Sequence, residues 1–138
     1  MRNRMDRKST AGLLWAVIFF HPLLLSSAPA QRVAAPAEIP CSRDHLTLYN
    51  GRVLALSRNK RRTTIRIRTD YDTSETVTLS HAGSGTPLQW FRLAGEPFRQ
   101  SHWSLIESAR NRLKRGVRAN IWVCDDGSNP IVDWQPPK

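Results

Sequence analysis

The sequence predicts a small all-β domain interrupted by one helix, in the order β-β-β-α-β-β. Three observations carry this. Two short segments, Thr63–Thr69 and Glu75–Leu79, alternate apolar and polar residues with period two, separated by a polar turn. A single stretch after residue 100 has helical spacing. Two more alternating segments, Arg118–Cys124 and Ile131–Trp134, close the chain.

Before the first strand come two segments of different character. Met1–Lys8 carries Arg2, Arg4, Arg7 and Lys8 against Asp6; Ala11–Phe20 is apolar; Ala28-Pro29-Ala30 supplies small residues. A basic start, a short apolar core and an A-x-A site predict a secretory signal peptide over 1–30, cut before Gln31. The alternative is an uncleaved anchor, but His21-Pro22 interrupts the apolar run. No membrane span is then expected after cleavage. Residues 31–40 hold three Ala and two Pro without periodicity and are expected to be a flexible leader to a single domain over 41–138. The reading places the protein in a bacterial periplasm or outside the cell.

Export makes a disulfide plausible, and Cys41 and Cys124 are the only two cysteines. The alternative is two buried thiols. The chain carries 21 basic and 11 acidic residues. The first 30 residues hold four of the basic and one of the acidic ones, which leaves 17 against 10, a net +7 over 108 residues.

Within the domain, His45–Arg58 is the first strand region, and Gly51 in its middle predicts a bulge or sharp bend. Arg58–Arg62 is a polar turn. In the second strand Ile65 and Ile67 face one way and Thr64, Arg66 and Arg68 the other. Asp70–Ser74 is a second turn. In the third strand Val77 and Leu79 point inward, Thr76 and Thr78 outward. Ser80–Gln100 contains Gly83, Gly85, Pro87, Gly95 and Pro97 and reads as loop, with Leu88–Leu93 either a short strand or a cover for the core.

A helix is expected from Ser101 or Ser104. Ser104 and Glu107 have capping-box spacing, and Trp103, Ile106, Ala109 and Leu113 form one stripe. Lys114 and Arg115 suit the last turn, and Gly116 a stop. Asp125–Pro130 is a turn between the last two strands.

This order resembles the oligonucleotide/oligosaccharide-binding (OB) fold, a five-stranded Greek-key barrel. The stretch Gly51–Asp70 is similar to the opening hairpin of such domains, and Leu113–Val123 to their helix-to-strand junction. The competing architecture is a small antiparallel sheet packed on one helix. A narrower resemblance rests on Gly83-Ser84-Gly85-Thr86-Pro87 and on Gly116–Val123. These resemble stretches in the B subunits of pertussis-like and subtilase-type toxins, which are secreted, disulfide-bonded barrels. That resemblance implies a ring of subunits binding glycans; the chain departs from it in having two cysteines and a basic first hairpin.

The most distinctive chemistry is the cluster Arg58, Lys60, Arg61, Arg62, Arg66 and Arg68. In the fold it resembles, this hairpin belongs to the ligand face. Six cations would attract a phosphate, sulfate or carboxylate polymer, and arginine binds such groups in bidentate fashion. Trp90 and Phe91 would add faces for stacking on sugars or bases. The alternative is a solvated hairpin whose charge resists aggregation, partly neutralised by Asp70, Asp72 and Glu75.

Catalysis finds no motif. His45, His81 and His102 are scattered, no H-E-x-x-H, G-x-S-x-G or phosphate loop occurs, and Asp125-Asp126-Gly127 lacks the spacing of a calcium loop. The expectation is a non-catalytic binding module without cofactor or metal, whose partner is an anionic polymer, a glycan or an acidic protein. Export argues against nucleic acid as the physiological target. A second expectation is a structural or interaction protein of the cell envelope without a small ligand.

Overall fold

The computed structural model of the chain describes residues 33–81 and 87–138. The expected signal peptide and residues 83–86 of the toxin-like stretch lie outside the described residues.

Strand β1 (Leu46–Arg58), β2 (Arg62–Thr69) and β3 (Ser74–Ser80) form the expected antiparallel meander. The following strands are β4 (Phe91–Leu93), β5 (Glu96–Pro97), β6 (Glu107–Ala109), β7 (Arg112–Leu113), β8 (Arg118–Cys124) and β9 (Ile131–Gln135), with a single helical turn, α1 (Trp103–Ile106), before β6. Seven strands make one sheet in the order β3-β2-β1-β8-β9-β4-β5. All its pairings are antiparallel except β4 with β9, which is parallel. The fold is therefore mostly β with one helix, as the sequence predicts, but that helix is a single turn. The sheet is mixed rather than antiparallel, and among the described residues its ladders do not close into a barrel. It nonetheless curls, since Ile65, Ile67, Val77 and Leu79 of β2 and β3 share a core with Phe91, Val132 and Trp134 of β4 and β9.

The alternation in β2 and β3 is as the sequence predicts. Ile65, Ile67 and Leu79 are fully buried, while Arg66, Arg68, Thr76 and Thr78 are exposed. Gly51 marks a close approach rather than the bulge itself. A Cβ there would sit 2.0 Å from the backbone oxygen of Arg68, and the register irregularity lies further on, between Val53 and Ala55. Asn120 and Trp122, on the opposite face of β8 from Ile121, are buried too. They line a groove with Val33, Ala34 and Pro36, and Glu38 in the same N-terminal segment pairs with Arg92 on β4.

The long helix is the main correction. A 3-10 turn, Gln100–His102, leads into α1, and the chain then reverses through the hairpin β6–β7, with Asn111 at φ 63° in its turn. Glu107 does not cap Ser104; its buried carboxylate turns to Arg58 and accepts the Asn111 N–H at 3.0 Å, while Ser104 Oγ donates to the Ser101 carbonyl. Trp103 and Ile106 still face the core, but Ala109 is exposed. Gly116 does adopt the left-handed conformation, at φ 88°.

Cys41 and Cys124 form the disulfide, with Cα atoms 6.0 Å apart across 83 residues of chain. It fastens the segment before β1 to the last residue of β8. In the chain-entropy model a loop of this length is worth about 4–5 kcal/mol. The double variant C41S/C124S should lose about that much in urea unfolding; an unchanged midpoint would refute the role assigned to the bridge.

Beside the bridge, His45 Nδ1 lies 2.7 Å from Asp125 Oδ2. That hydrogen bond and the charges of Asp125 and Asp126 raise the His45 pKa above its ordinary 6.5. A raised folded pKa gives stability that is complete below the unfolded value and is lost as pH climbs through the folded one. The stability gap between the protein and His45→Gln should thus be widest in mild acid and should narrow above neutrality. A gap that widens with pH would contradict the pairing.

Candidate ligand-binding face

The turn joining β1 to β2 is built by Asn59. Its side-chain oxygen accepts the N–H groups of Arg61 at 2.8 Å and Arg62 at 2.9 Å, and its own N–H donates to the Arg62 carbonyl. This side-chain mimicry of a backbone turn leaves Lys60 and Arg61 at an exposed tip. Asn59 to Arg62, together with Thr78 and Ser80 of β3, line an open concavity of about 690 Å³. Arg66 and Arg68 project from the outward face of β2, so the face begins at the tip and runs down the strand.

The six cations separate by partner. Arg58 is not part of the open face. Its Nη2 lies 2.5 Å from Glu107 Oε2, its Nε donates to Oε1 at 3.2 Å, and its guanidinium carbon sits 3.7 Å above the centre of the Trp103 ring. Only 18 % of its side chain is exposed. Arg68 reaches Asp72 at 3.0 Å on the surface, where such a pair is worth little. Asp70, the other carboxylate of that turn, pairs with Arg118 of β8 instead. Lys60, Arg61, Arg62 and Arg66 have no ion-pair partner among the described residues.

The two aromatic candidates do not join them. Phe91 is 2 % exposed and packs edge-on against Phe98 and Trp103, with ring centres 5.8 and 5.4 Å away. The cause is local: the 3-10 turn Pro87–Trp90 delivers Phe91 into β4, whose pairing with β9 turns the ring into the core. Trp90 is half-buried against the same core. Stacking on ligand rings therefore has no support at this face. A smaller cavity of about 140 Å³ lies beyond Asn59, between Arg58, Trp103, Gln100 and Arg110. His81 hydrogen-bonds Thr63 Oγ1 at its wall, at 2.9 Å. Among the described residues no three metal-ligating side chains converge.

Glu107 and Asn111 hold Arg58 back from solvent; the sequence reading assigned Glu107 to a helix cap and did not single out Asn111. Nor did it single out Thr76 and Thr78 as neighbours of the arginines. The alternation of β3 already turned them outward, but only the register sets Thr76 beside Arg66 and Thr78 beside Thr64.

No protein-family model, curated protein or solved structure matches the chain.

The Arg58–Glu107 pair has a direct test. Breaking a buried pair by removing one partner typically costs about 3–5 kcal/mol. Glu107→Ala should therefore destabilise the fold by about 3 kcal/mol, the low end because Arg58 keeps some solvent, whereas Arg61→Ala should leave the unfolding midpoint in place. Equal effects from the two would refute the distinction between a structural and a surface arginine.

Proposed function

We propose that the protein is an exported, non-catalytic binding module that holds an anionic ligand on the outer face of its first hairpin, through Lys60, Arg61, Arg62 and Arg66. One observation carries the reading. These four cations share a single exposed face and lack carboxylate partners among the described residues, whereas Arg58 and Arg68, from the same run of sequence, each have one. Unneutralised charge on one face concentrates polyanions and speeds their arrival.

The scaffold we propose is a barrel of the OB type. What supports it is the coiled sheet, the parallel pairing of β4 with β9, and Asn129. The Asn129 side chain accepts the Ser80 N–H at 2.8 Å and donates to the Ser80 carbonyl at 2.9 Å, which ties the end of β3 to the chain leading into β9. Export is supported by the signal-like start of the sequence and is compatible with the disulfide.

The test is retention on immobilised heparin and on immobilised polyphosphate, at roughly 0.1 M and roughly 0.5 M salt, a range over which screening shortens markedly. The protein should bind at the lower salt and elute at the higher, and R61E/R62E should fail to bind at either. Retention that survives charge reversal would refute the reading and favour a structural role in the envelope.

A further inference from the structure

We infer that the ligand of this face is an anionic polysaccharide, recognised by arginines and hydroxyls set side by side; the inference rests on the basic-face reading above. The outward positions of β2 are Arg62, Thr64, Arg66 and Arg68, and their partners on β3 are Ser80, Thr78, Thr76 and Ser74. Successive outward positions on a strand are about 6.8 Å apart, and neighbouring strands are about 4.8 Å apart. Each arginine thus stands one strand spacing from a hydroxyl, and the two kinds of group run in parallel rows.

The rows are open to a ligand. Arg66, Thr76 and Thr78 are exposed, and the hydroxyls of Thr64, Ser74, Thr76 and Thr78 have no hydrogen-bond partner among the described residues. A hydroxyl both donates and accepts, so a row of them matches the hydroxyls of a sugar chain, while the arginines match its sulfates or carboxylates. A polymer that is all charge would use one row only.

The same face argues against single-stranded nucleic acid, which is held largely by bases stacking on aromatic rings. No outward position of β2 or β3 is aromatic. Tyr71 is 90 % exposed but stands in the β2–β3 turn, at the opposite end of the meander from Lys60 and Arg61.

The experiment compares heparin, alginate, polyphosphate and single-stranded poly(dT) as ligands of the oxidised protein, with T76V/T78V and R61E/R62E beside it. Valine keeps the shape and strand preference of threonine, and an unchanged urea midpoint verifies that the variant folds. The protein should bind heparin or alginate, heparin alone marking sulfate and alginate alone marking carboxylate as the recognised group. T76V/T78V should weaken that binding by roughly tenfold, the loss of two modest hydrogen bonds, and leave polyphosphate binding as it was. Polysaccharide binding that T76V/T78V does not change, or tighter binding of poly(dT), would overturn the inference while leaving the basic face standing. Failure of all four ligands would overturn the basic-face reading and this inference with it.

Discussion

The interaction on which the rest of the structure depends is the pairing of Arg58 with Glu107 over the Trp103 ring. Arg58 is the last residue of the longest described strand, and Glu107 begins a hairpin that, among the described residues, forms a sheet of its own apart from the main one. A carboxylate and a guanidinium withdrawn from water are tolerated only when their hydrogen bonds are met. Here they are. Glu107 takes Arg58 Nε, Arg58 Nη2 and the Asn111 N–H, and Asn111 Oδ1 takes the Arg58 N–H at 2.8 Å. The network fixes where β1 ends, forces the chain to reverse after α1, and lays a flat cation over a ring that already touches Phe91, Phe98 and Trp134. The aromatic half of the core is thereby roofed by charge rather than by a helix.

That network also explains what was legible in the sequence and what was not. The period-two alternation of β2 and β3 gave their faces correctly because each has one face in the core and one in water. The cysteine pairing was legible because there was only one pair to make. The segment after residue 100 misled, because Trp103 and Ile106 are three apart in either arrangement, and the carboxylate that seemed to cap Ser104 has its partner 49 residues away. Arg58 could not be told from Arg61 by composition; burial and its pairing with Glu107 separate them. The parallel strand β4 is three residues long in a segment rich in glycine and proline, where local propensity says little.

The surface charges follow the same logic of sorting by partner. Asp70 and Asp72 occupy the β2–β3 turn and draw Arg118 and Arg68 toward it, so that end of the meander is close to neutral. At the opposite end, beside the turn built by Asn59, Glu107 is taken up by Arg58, and Lys60, Arg61 and Arg62 have no ion-pair partner among the described residues. The meander is consequently polarised along its strands, with its field strongest where the backbone of the turn is held most tightly by its own side chain.

The disulfide has a further consequence for how the molecule would fail. It spans β1 through β8, so every backbone bond between Cys41 and Cys124 lies inside one covalent ring. A protease that cuts a turn within that ring opens the ring but releases no fragment. The severed pieces remain linked and packed around a shared core, and they would separate only after reduction. The bridge thus acts as a tether that outlasts the first cut.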